Sequence, residues 1–157
     1  MPSHETYMKE ALKQAKTAFE KEEVPVGAVI VYNHQIIARA HNQIKALKDP
    51  TAHAEMIAIT QAAAFLKNER LKDCDVYATI EPCPMCAGAF VLARIRNLYF
   101  AAKDPKSGAA GSVVNILQNN KLNHRVNVKS EILEEEARSL MQEFFRKKRS
   151  LQGFLTT

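Results

Sequence analysis

Along this chain the spacing of apolar residues switches repeatedly between the helical and the extended period, and that switching constrains the fold most. Over residues 6–21, Tyr7, Met8, Ala11, Leu12, Ala15, Ala18 and Phe19 recur at three and four and predict an amphipathic helix. Val24-Pro25-Val26-Gly27 breaks the pattern, and the apolar runs 28–31 and 36–38 then flank a polar Asn33-His34-Gln35 turn, as in a β-hairpin. After a polar loop over 43–50, helical spacing returns over 53–67, and 75–80 is a short β-rich run. A helix over 84–95, a strand over 97–101, a loop over 104–112 holding Gly108 and Gly111, and a terminal helix over 132–148 complete the reading. Such alternation predicts an α/β fold: a mixed sheet with helices on both faces, its first two strands antiparallel and the later ones parallel.

With 157 residues, 46% of them apolar, the chain can build one core without a disulfide, so a single domain over 1–157 is expected. The helix that starts at Pro84 is apolar almost all round, and is therefore either sandwiched in the core or shared with a partner subunit. A net charge of +5 favours an anionic partner and allows nucleic acid without requiring it. Three cysteines cannot all pair, which fits a reducing compartment. No targeting segment opens the sequence and no run of about 18 apolar residues occurs, so a soluble cytoplasmic protein that makes no use of a membrane is expected.

Pro82-Cys83-Pro84-Met85-Cys86 puts two thiols at C-x-x-C spacing where a strand gives way to a helix. With Cys83 as N-cap and Cys86 as third helical residue, both side chains converge at the helix mouth, where the dipole favours thiolates. Metal binding, thiol redox chemistry and simple burial all fit that pair. Upstream, Pro50-Thr51-Ala52-His53-Ala54-Glu55 places His53 at the opening of another helix and Glu55 in its first turn. One histidine and two cysteines make three soft ligands suited to zinc with a fourth position for water, and an adjacent glutamate can move protons. A closed Cys3His staple completed by Cys74 is the competing arrangement, although Cys74 precedes a strand and reads as core.

His-Ala-Glu followed by Pro-Cys-x-x-Cys resembles the zinc-dependent cytidine and deoxycytidylate deaminase superfamily of nucleobase and nucleoside deaminases. Residues 23–28, Asn42, 49–55, 104–112, Asn123-His124-Arg125 and Phe144-Phe145-Arg146 narrow the resemblance to the bacterial tRNA-specific adenosine deaminases, over roughly 7–149. The tail after Arg149 matches nothing in that pattern. The resemblance implies a cytidine-deaminase-like three-layer α/β/α fold, one zinc per chain held by His53, Cys83 and Cys86, and attack of zinc-activated water on C6 of adenine. Glu55 would shuttle the proton from water to ring nitrogen and leaving amine, giving inosine at the wobble position of tRNA.

The same resemblance makes the Ala54 N–H and the Asn42 amide candidates for the base edge; a base taken out of its stack needs apolar walls, for which Val26 and Phe145 are the candidates, with Phe144 inside the core. Asp104, Lys106 and Ser107 are candidates for ribose and phosphate, and Arg146-Lys147-Lys148-Arg149 for phosphates. It further implies a homodimer and an arginine-tRNA anticodon stem-loop as substrate. Two other readings stay open at this point: a deaminase of free guanine or cytidine on the same zinc core, and a non-catalytic zinc-stabilised RNA-binding module.

Overall fold

A computed structural model describes residues 2–156. It begins with α1 (His4–Glu20), started by the Ser3 hydroxyl, which accepts the Thr6 N–H at 3.2 Å. The hairpin follows as β1 (Gly27–Tyr32) and β2 (Gln35–His41), joined by Asn33 and His34, both in the left-handed region that a two-residue type I′ turn demands. Then come α2 (Ile44–Leu47), α3 (Ala54–Leu66), β3 (Cys74–Ile80), α4 (Pro84–Ala93), β4 (Asn97–Ala102), β5 (Asn127–Lys129) and α5 (Glu134–Thr156).

The strands form one sheet in the order β2-β1-β3-β4-β5. β1 is antiparallel to both β2 and β3, whereas β3, β4 and β5 are mutually parallel, as the sequence predicts for the later strands. The functional consequence is geometric. β2 and β3 both oppose β1, and β4 follows β3, so all three leave the sheet at the same end, where β1 enters it. The segments after them, which lead into α3, into α4 and into loop 104–112, therefore gather at one edge, the usual place for a ligand in an open α/β sheet.

Helices cover both faces. On one, Ala54, Ala58 and Ala62 of α3 and Ala87 and Phe90 of α4 pack against Ala28, Ile30, Val76, Ala78, Leu98 and Phe100. On the other, Tyr7, Met8, Ala11 and Leu12 of α1 and Ala137 of α5 cover Val29, Val31, Tyr77 and Ala101. Alanines let α3 lie close on the sheet. Gly27 does the same for α1: a Cβ there would overlap the Ala11 carbonyl and the Ala15 amide. Gly27→Ala is therefore expected to destabilise the fold by about 1–3 kcal/mol through overpacking. A thermal midpoint unchanged by that substitution would contradict this close approach.

The apolar fourth helix is buried on one face alone. Cys86, Ala87, Phe90 and Ala93 are buried, while Leu92 on the opposite face is 79% exposed beside Met85, Gly88, Ala89 and Leu122. Several elements differ from the sequence expectation. The loop over 43–50 contains α2, residues 127–129 form an edge strand, and α3 starts at Ala54 with His53 as its N-cap. The terminal helix starts at Glu134 and continues past Arg149. Among the described residues no helix is long and apolar enough to cross a membrane.

Candidate active site

His53 and Cys83 are the N-caps of α3 and α4, and Cys86 is the third residue of α4. Two helix N-termini thus face one another across the sheet edge, and their dipoles favour negative charge between them. His53 Nδ1 lies 3.6 Å from Cys83 Sγ and 3.5 Å from Cys86 Sγ, and the three ligand atoms all fall within 4.8 Å of one another. A tetrahedral zinc with Zn–S of about 2.3 Å and Zn–N of about 2.0 Å spaces nitrogen and sulfur by roughly 3.6 Å, so the donor set fits that ion. Cys86 and then His53 hold the Cys83 thiol down to about 4 against the opposing effect of burial, and thiolate is the form that binds metal. Cys74 is not in the group: it begins β3, about 20 Å along the strand from the end that leads to Cys83. That removes the closed Cys3His arrangement.

Glu55 is 3% exposed, and its Oε1 has no hydrogen-bond partner among the described residues. Burial pushes its carboxyl up to about 7, with Cys83 adding to the rise and His53 opposing it. A carboxyl poised there can both accept and donate a proton at neutral pH. Asn42 is buried beside it and accepts the Ala54 N–H through Oδ1 at 2.8 Å. The structure corrects the sequence expectation here. The Ala54 N–H is engaged by Asn42 and is not free for a base, while among the described residues nothing accepts from Asn42 Nδ2.

His53, Glu55 and Cys83 form the floor of a cavity of about 200 Å³. That equals the liquid volume of roughly seven waters, below the ~300–1,000 Å³ of drug-sized pockets. Val26, Asn42, Ile44, Ile80 and Met141 line it, together with Asp104 and Ser107. Phe145 and Lys106 do not. They line a neighbouring groove of about 580 Å³ that shares Ile80, Asp104, Ser107 and Met141 with the cavity and adds Lys103, Arg138 and Arg149. Phe145 is 37% exposed there because Phe144, one residue earlier on α5, takes the inward position against Phe19. The basic run is divided as well: Arg146 pairs with Glu143 and Lys147 lies over Phe19, while Arg149 faces the groove.

The MafB19-like deaminase family matches residues 2–149. A Bacillus subtilis protein named tRNA-specific adenosine deaminase is 50% identical over 149 residues, covering 95% of this chain and 92% of its own. An Aquifex aeolicus protein of the same name is 52% identical, covering 93% and 96%. This chain belongs to the tRNA-specific adenosine deaminases. A solved structure from a study of A-to-I editing by tRNA:A34 deaminases at the wobble position of transfer RNA superposes with a TM-score of 0.83 at 44% identity. That superposition covers 85% of this chain and 97% of the other.

Sequence reasoning missed two buried carboxylates that frame the deaminase cavity. Glu23 accepts the Lys45 N–H at 3.1 Å and the Ala46 N–H at 2.9 Å, capping α2 from outside and setting the segment that carries Ile44. Glu81, 2% exposed, accepts the Asp104, Ala110 and Ser112 N–H groups at 3.0, 3.0 and 3.1 Å, and also the Ser112 hydroxyl. Burial works to raise the Glu81 carboxyl, but the Ser112 hydroxyl and these amides prevail and hold it below the ordinary range. Glu81 directly precedes Pro82-Cys83, yet nothing in sequence spacing separates a buried glutamate from a solvated one.

Proposed function

We propose that this chain converts adenosine to inosine at the wobble position of tRNA, with zinc held by His53, Cys83 and Cys86. The observation that carries the reading is the buried Glu55 oxygen, unpartnered among the described residues, beside a His/Cys/Cys group of zinc spacing in a cavity of about 200 Å³. Zinc bound there supplies Lewis acidity that makes a water nucleophilic near neutral pH. Glu55 removes one proton from the attacking water and passes it to the purine ring nitrogen, then takes the second proton from the new C6 hydroxyl and hands it to the amine, which leaves as ammonia while the C6 carbonyl forms. One carboxyl can act first as base and then as acid because burial sets it near neutrality.

Asn42 Nδ2 donates to an acceptor on the base edge while Oδ1 stays on Ala54, so the orientation of the amide is fixed before substrate arrives. Val26, Ile44, Ile80 and Met141 exclude water around the ring. The target adenosine must leave its stack to reach this depth, and a nucleotide beside it lies in the groove against Phe145, Lys106, Ser107 and Arg149.

The substrate is the anticodon stem-loop of an arginine tRNA, and the enzyme is cytoplasmic. A homodimer through the exposed apolar face of α4, centred on Leu92, accounts for a patch that a solitary subunit would leave in water. Deamination of the stem-loop beside free adenosine, cytidine and guanine tests the substrate class, since turnover of a free substrate alone would overturn it. Lys106 and Arg149 are among the groove's cationic side chains, so stem-loop affinity is expected to fall by roughly 0.7–0.9 log units per log unit of salt for each phosphate contact. A flat salt response would exclude phosphate contacts as the main source of affinity.

A further inference from the structure

Glu81 stands between the end of β3 and the helix that carries both cysteines, and it touches neither Glu55 nor any ligand atom through a hydrogen bond among the described residues. The hydrogen bonds it accepts come from a single loop. Oε1 takes the Asp104 N–H and the Ser112 hydroxyl, and Oε2 takes the Ala110 and Ser112 N–H groups. Gly108 lies flat on the carboxylate, so close that a Cβ would overlap it. No surface turn needs a fully buried negative charge to close it, and burying one unpaired with a cation is costly unless its lone pairs are filled.

The loop held in this way is the one that forms the shared edge of the cavity and the groove. Asp104 fixes that edge in turn: its Oδ1 accepts the Lys106 and Ser107 N–H groups and its Oδ2 accepts the Ser107 hydroxyl. Glu81 thus holds the Asp104 backbone, and the Asp104 side chain in turn holds Lys106 and Ser107.

We propose that Glu81 is a positioning residue for RNA recognition, which fixes loop 104–112 so that Asp104 and Ser107 meet the nucleotide at the cavity mouth in a preset geometry. The proposal rests on the RNA-editing reading above. Without the anchor, the loop samples other conformations, and apparent affinity falls in proportion to the competent fraction. The chemical step at Glu55 is unaffected once RNA is bound, so the loss falls on KM and not on kcat.

The test is Glu81→Gln, close in shape but with one acceptor oxygen replaced by an NH2 group that faces donors. Losing the hydrogen bonds of that oxygen is expected to raise KM for the stem-loop by about tenfold or more, the worth of at least one hydrogen bond to a charged group. By the same partition, kcat is expected to stay within about threefold and zinc at one per chain. Amide hydrogen exchange at Asp104, Ala110 and Ser112 should accelerate while α3 and α4 keep their protection, and Ser112→Ala should give a smaller change of the same kind. An unchanged KM with unchanged loop exchange would overturn the proposal. So would exchange that accelerates equally in α3 and α4, or loss of zinc, since Glu81 would then be a structural support of the whole site. Failure of the RNA-editing reading has a different signature: the unsubstituted enzyme would leave stem-loop adenosine intact, whatever loop exchange shows in the variant.

Discussion

Glu55→Ala is expected to abolish deamination while leaving zinc content and fold intact. A positioned proton carrier contributes about 10²- to 10⁴-fold, and here one carboxyl serves successive transfers, so the loss should reach the upper part of that range. The structure separates this role from support of the fold. Glu55 Oε1 has no hydrogen-bond partner among the described residues, and burial disfavours the charged carboxyl, so its removal relieves a desolvation cost. The thermal midpoint of the variant should therefore equal or exceed that of the unsubstituted protein. Retained turnover would remove Glu55 from the mechanism. A large fall in midpoint would make it a structural residue.

His53→Ala should act in the opposite way, through the metal. Even the outer hydrogen-bond partners of zinc ligands are worth about 10–100-fold in affinity, so loss of a ligand should exceed that and leave the purified protein largely without zinc. Metal that binds only the folded chain also stabilises it, by about 4 kcal/mol when free metal stands at a thousand times its dissociation constant. The variant should accordingly melt earlier, and a chelator should lower the midpoint of the unsubstituted protein but not of the variant. Cys74→Ser supplies the contrast, because Cys74 is buried in β3 away from the ligand group and should keep a full complement of zinc. Zinc at one per chain in His53→Ala would show that the ligand set is wrong.

The grouping of His53, Cys83 and Cys86 was legible in the sequence because it depends on residue types at fixed offsets from helix starts. Pro84 announces the start of α4, which makes Cys83 and Cys86 neighbours at its mouth, and the first-turn position of Glu55 follows from the same reasoning at α3. The hairpin was legible because Asn33 and His34 tolerate the left-handed backbone its turn requires. What escaped detection was held by distant partners. β5 has three residues with no alternation to read, and exists through its pairing with β4 some thirty positions earlier. α2 is a single turn capped by Glu23, far upstream. Phe145 was expected at the pocket wall and Lys106 at ribose or phosphate, but which side of α5 or of loop 104–112 meets the cavity depends on packing that only the assembled sheet fixes. The occupied Ala54 N–H belongs to the same class, since only the folded loop brings Asn42 to it.

The most direct test of the account is position-resolved sequencing for inosine in an intact arginine tRNA incubated with the zinc-loaded enzyme. The account predicts inosine at the wobble adenosine alone, with adenosines elsewhere in the anticodon loop unchanged and free adenosine untouched. Inosine scattered among the loop adenosines, or absent from the tRNA while a free base or nucleoside is consumed, would contradict it.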